Sequence, residues 1–149
     1  MNPVLSALSE VLLRDLTKLE EEVKAYHDEA NLWKVEGAIS NSGGNLCLHL
    51  CGNLRHFVGK VMGGIPYQRD RDFEFAARNI PRTELLEQIE ATKSSVKESL
   101  ASLDPAVLDK PYPIEVFGKP MTALYFLVHL AGHLNYHLGQ INYHRRLLE

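Results

Sequence analysis

Apolar positions recur every three or four residues from the start of the chain: Val4, Leu5, Leu8, Val11, Leu12, Leu16, Leu19, Val23 and Tyr26. That period belongs to a helix with one buried side. Asn2 before Pro3 supplies a cap followed by proline at the first helical position, so a first helix is expected over residues 3–27. Residues 31–40 (NLWKVEGAIS) lose the period and contain Gly37, which predicts a loop from which Trp33 packs back as a lid. The period returns after Ser42, with Leu46, Leu50, Leu54, Phe57 and Val61 inward and Cys47, Cys51 and Val58 beside them. On the other flank of this second helix His49, Asn53, His56 and Lys60 form a polar stripe, and Gly63, Gly64 and Pro66 end it.

Residues 63–81 make a connection too long for a tight helical hairpin, as expected of a crossover that runs the length of a bundle. Thr83 is the expected cap of a third helix over residues 83–103, whose buried face is Leu85, Leu86, Ile89, Val96, Leu100 and Leu103. Asp104 and Pro105 stop it, residues 110–113 (KPYP) are extended, and Thr122 caps a fourth helix. Residues 121–144 (MTALYFLVHLAGHLNYHLGQINYH) carry no Asp, Glu, Lys or Arg, yet they include His129, His133, His137 and His144. Leu124, Leu127, Leu130, Leu134, Leu138 and Ile141 form an apolar stripe with the histidines beside it. Tyr125, Gly132, Tyr136, Gly139 and Tyr143 occupy a third sector suited to close contact with another helix or subunit. A helix packed on two sides explains the missing charges. Four amphipathic helices with one long crossover predict an all-α four-helix bundle; residues 114–117 (IEVF) make at most one isolated short strand.

Composition narrows the function. A chain of 149 residues, 45% of them hydrophobic, is expected to form one domain over residues 1–149. A net charge of −3 with basic residues scattered among acids excludes a nucleic-acid footprint. The four histidines, two asparagines and a glutamine of the fourth helix are too costly for a membrane span. Charge enters the N-terminal segment too early and too periodically for a signal peptide, so a cytoplasmic location is expected. Cys47 and Cys51 share a helix face, where backbone geometry disfavours a disulfide, and are expected to be reduced and partly buried.

His133 and His137 stand at i and i+4, so both imidazoles project from one side of the helix and can reach one cation. The spacing arises readily by chance, and a histidine at the edge of a core is more often a hydrogen-bonded core residue than a ligand. His49 strengthens the metal reading, because a neighbouring bundle helix then supplies a third nitrogen. Three neutral imidazoles leave open positions for water or substrate, as in catalytic zinc sites. His129 and His144 are expected in supporting, interface or solvated roles, and His56 is expected to face water. The helix wheel turns Cys47 and Cys51 away from His49.

A second helix carrying LHLCGNLRHF and a fourth carrying HLNYHLGQINYHRR resemble the DinB-like superfamily, damage-inducible bacterial proteins with a metal-dependent bundle fold. The resemblance runs over nearly the whole chain and rests on the combination and order of short motifs. It implies an up-down-down-up bundle with the long crossover between helices 2 and 3. It also implies one divalent metal ion held by His49, His133 and His137, with Leu138, Gly139 and Gln140 completing an HxGQ pattern. Similar proteins include thiol transferases that use bacillithiol, mycothiol or glutathione, and metal hydrolases.

Both chemistries follow from an open cation that lowers the pKa of a bound thiol or water. The expected function is therefore a metal-dependent S-transferase using a small thiol on a small-molecule substrate, with zinc or nickel as the metal. A hydrolase and a non-catalytic metal-binding homodimer are the alternatives. The absence of HExxH and ExxH disfavours a zincin protease and a di-iron carboxylate site. The uncharged sector of the fourth helix predicts a homodimer.

Overall fold

The computed structural model describes residues 2–149, and its regular structure is helical: α1 Pro3–Ala25, α2 Gly43–Leu54, α3 Arg71–Ala76, α4 Arg82–Ser102 and α5 Ala123–Leu148. Asn2 Oδ1 accepts from the Val4 and Leu5 amides, so the expected cap starts α1. Ser42 and Thr122 cap α2 and α5 in the same way, through Asn45 N and Tyr125 N. Thr83 does not cap. The third long helix begins one residue earlier, after Pro81 and with no side-chain cap, because Pro81 fixes the extended backbone that enters the first turn. Among the described residues there is no strand; residues 114–117 form none, and a single bridge pairs Pro111 with Thr122.

The directions of the helices follow from their paired side chains. Asn135 donates to Asp15, Asn142 and Arg145 donate to Glu22, and Tyr26 meets His144, so α1 and α5 run parallel. Arg82, at the start of α4, donates to the carbonyls of Lys24 and Tyr26 at the end of α1, so α4 runs the opposite way. Gly43, at the start of α2, lies against Tyr26 and His144 and shares that direction. The bundle is therefore up-down-down-up, and residues 63–81 return along its length with α3 on the way. Both α1 and α2 pack on α4 and α5, which places α1 and α2 on a diagonal.

The core is the expected leucines of α1, α2 and α5 apart from the partly buried Leu124, with Leu85, Ile89, Val96 and Leu100 from α4 and Phe126 filling the far end; Leu86 and Leu103, at the edges of the α4 face, are only partly buried, and Val4, in the first turn of α1, is exposed. Every residue of α2 is buried. The second helix departs from expectation beyond Leu54: Arg55–Met62 winds as a π-helix, wider than the α-helix the sequence period predicts. There Gly59 and Gly63 face Ser95 and Ser99 of α4, so small residues on both helices allow the wider coil to approach. The connection after α1 is not a simple loop, because Glu29–Trp33 forms a 3-10 turn capped by Asp28. Trp33 packs back as expected, buried over Gly44.

Candidate metal centre

The α2 and α5 helices meet at the site. His49 is buried on α2, and His133 and His137 project one turn apart from the facing side of α5. One ligating atom from each lies within 4.8 Å of the others, a grouping that can hold a metal ion. The Nε2 atoms of His49 and His133 are 3.2 Å apart. Two nitrogens bound at about 2.0–2.1 Å to one tetrahedral cation stand about 3.3 Å from each other, so this pair already has ligand spacing.

The outer nitrogens fix which atoms face inward. Glu74 Oε1 lies 3.1 Å from His49 Nδ1 and, as a carboxylate, can only accept, so Nδ1 carries the proton and Nε2 presents a bare lone pair. Gln140 Oε1 accepts from His137 Nδ1 at 2.7 Å, with the same consequence. His133 is different: its Nδ1 is buried with no partner among the described residues, and its ring packs between those of His137, at 4.5 Å, and His129, at 6.2 Å.

Electrostatics favour the neutral form of the two ligand candidates on α5. Burial first, then the neighbouring His137, His49, His129 and Arg69, push the His133 pKa down to about 4. Burial also lowers that of His137, with His49 adding to it and the Gln140 hydrogen bond opposing. Burial pushes the Glu74 carboxyl up, but hydrogen bonds from His49 and Arg69, and the Arg69 charge, outweigh it and hold Glu74 below its usual range. Arg69 donates to both carboxylate oxygens, at 2.9 and 3.0 Å. Its 3.4 Å approach to His49 Nδ1 is not a further bond, since both groups are donors there.

Glu74 and Arg69 were not singled out by the sequence. They lie on α3 and just before it, in the crossover, at no fixed spacing from any histidine. The sequence trace of their arrangement is Gly52, inside a helix where glycine costs about 1 kcal/mol relative to alanine, and it does not name its partner. A Cβ there would stand 1.9 Å from Glu74 Oε2, so glycine leaves the space through which the carboxylate reaches His49.

The other histidines take separate roles. His129 is exposed, with its ring 4.9 Å from Phe117 and stacked 5.8 Å from Phe126. His56 does not simply face water, since its Nδ1 is buried with no partner among the described residues and burial, with Arg69 and Lys60, lowers its pKa. His144 is neither solvated nor at the metal centre. It is buried, with Nε2 donating to the Lys34 carbonyl at 2.7 Å and Nδ1 2.6 Å from the Tyr26 hydroxyl. Cys47 and Cys51 are free and fully buried.

An up-down-down-up helical bundle with a three-histidine group between its second and last long helices defines a class of metal-binding bundle proteins. Residues 10–141 match the DinB superfamily, and the chain belongs to that family. A search of curated proteins finds no match. Among the described residues no helix is long and apolar enough to cross a membrane.

Proposed function

We propose that His49, His133 and His137 hold one divalent cation, zinc or nickel, and that the protein is a metal-dependent S-transferase acting with a small thiol. The donor set supports the metal: three imidazoles, two of them with the outer nitrogen protonated and braced, suit a borderline divalent ion. When bound, such an ion supplies positive charge that deprotonates a coordinated thiol near neutral pH.

One observation favours a thiol over water. The carboxylate that touches the histidine group, Glu74, has both oxygens engaged by Arg69 and one shared with His49. Activating water calls for a base free to move its proton. A thiol of lowered pKa needs none: its sulfur forms the new bond to an electrophilic carbon, and the leaving group departs with its electron pair and takes up the thiol proton. The test is a titration of cobalt-substituted protein with glutathione or bacillithiol. A sulfur-to-metal charge-transfer band that is absent in His133→Ala is the expected result. No thiol response together with hydrolysis of a simple ester overturns the transferase and leaves the hydrolase.

The protein also acts, in this reading, as a homodimer through α5. Tyr125, Val128, Tyr136 and Tyr143 are exposed on that helix at 55–68%, and a Cβ at Gly132 or Gly139 would meet nothing within 4 Å. An apolar, uncharged strip of this kind is the expected surface of a self-complementary interface.

A further inference from the structure

A trough of about 380 Å³ runs along α5 from His137 to Leu147, a span of roughly 15 Å at helical rise. The loop bearing Ile39, Ser40 and Asn41 walls its other side, and Leu46 and His144 lie at its floor. Its size is within the range of small-molecule sites. Two features set its chemistry. No Asp, Glu, Lys or Arg lines it, and its outer part is apolar, with Ile39, Tyr143 and Leu147. At its inner end stands the ring of His137, whose Nδ1 is tied to Gln140 Oε1, so the Gln140 amide NH2 remains as a donor at the same point.

From this we infer that the trough binds the thiol acceptor, and that this acceptor is an uncharged molecule with an elongated apolar arm. Its reactive head lies at the His137 end, where an acceptor atom meets the Gln140 amide, and its arm extends toward Leu147. Away from the His137 end, a carboxylate or phosphate on the arm would lose water with no Lys or Arg in the trough lining to receive it, since Arg146 lies over the Tyr143 ring and not in the lining, so an anionic arm is selected against. The floor residue His144 presents no free polar atom, since Lys34 and Tyr26 hold both of its nitrogens. The inference rests on the metal reading of His137 for the position of the head group, while the preference for an uncharged arm rests on the trough alone.

The test uses three probes on the full-length cobalt-substituted protein at pH 7.5: imidazole, 4-phenylimidazole and the carboxylate-bearing 4-(imidazol-4-yl)benzoate. Cobalt absorption reads the head group, and methyl NMR of Ile39, Leu46 and Leu147 reads the arm. The expected result is binding of 4-phenylimidazole at least tenfold tighter than imidazole, with shifts of those methyls. The benzoate is expected to bind at least threefold more weakly than 4-phenylimidazole. Ile39→Asp, on an exposed loop, is expected to abolish the phenyl advantage and leave imidazole affinity unchanged. Equal affinities for imidazole and 4-phenylimidazole, shifts confined to other methyls, or a benzoate that binds as tightly overturns the inference. If cobalt does not bind while 4-phenylimidazole still shifts the three methyls, the metal reading fails and the trough stands. If neither responds, both fall.

Discussion

His49 Nδ1 and Glu74 Oε1 stand 3.1 Å apart across 25 residues of sequence, and Arg69 clamps the same carboxylate from its other side. Through this contact the crossover holds one imidazole of the candidate metal centre in the tautomer that a cation would require. Replacing Glu74 by Gln keeps an acceptor oxygen but leaves the Arg69 charge uncompensated, and Glu74→Ala removes the brace altogether. Zinc affinity, measured by competition with a chromophoric chelator, should fall about 10- to 100-fold in Glu74→Ala and less in Glu74→Gln. Unchanged affinity in both variants would show that packing alone sets the His49 ring.

The space at Gly52 belongs to the same arrangement. Gly52→Ala places a methyl 1.9 Å from a carboxylate oxygen that Arg69 prevents from retreating. A loss of about 1–3 kcal/mol in urea unfolding is expected from the overpacking, with weaker metal binding alongside. Since alanine by itself favours a helix, a stabilised variant would contradict the placement of Glu74.

Acid should destabilise the metal-free protein through His133. Its folded pKa is about 4, whereas an unfolded histidine titrates near 6.5, so as the pH falls the unfolded chain takes up the proton first. The stability present above pH 6.5 is lost progressively between 6.5 and about 4. For a ring only partly removed from water this amounts to about 1–2 kcal/mol. Urea titrations at pH 7.5 and 4.5 should give a smaller pH difference in His133→Asn than in the wild-type chain.

Tyr26 and His144 form a buried pair outside the three-histidine group. Tyr26→Phe leaves His144 Nδ1 without its 2.6 Å partner and should cost about 1–3 kcal/mol in thermal unfolding. Zinc stoichiometry should stay at the wild-type value. A lowered stoichiometry would tie this end of the bundle to the centre.

The exposed strip of α5 makes a direct test of self-association. Gly132→Arg puts a charge where a Cβ meets no neighbour in its own chain, so folding should survive while dimers dissociate. Sedimentation velocity at micromolar concentration should show a wild-type dimer and a monomeric variant; a wild-type monomer refutes the interface.

Local periodicity in the sequence was enough to place the four long helices, because burial of one helical face repeats every three or four residues and Asn2, Ser42 and Thr122 cap within their own turns. The pairing of His133 with His137 was legible for the same reason, since i and i+4 share a face in any α-helix. His49 entered as a third nitrogen from the polar flank of a neighbouring bundle helix, and the family resemblance then implied the full set. The chain alone did not reveal the π-helical turn at Arg55–Met62, which sets Gly59 and Gly63 against Ser95 and Ser99 of another helix. Nor did it reveal Glu74, which stands in the crossover at no fixed spacing from any histidine. Its burial is decided by where residues 63–81 fall across α2, and the cost of enclosing its charge is offset only where His49, Arg69 and the gap at Gly52 come together. Periodicity is a property of neighbours along the chain; the protonation and aim of a buried imidazole belong to whatever the tertiary fold sets beside it.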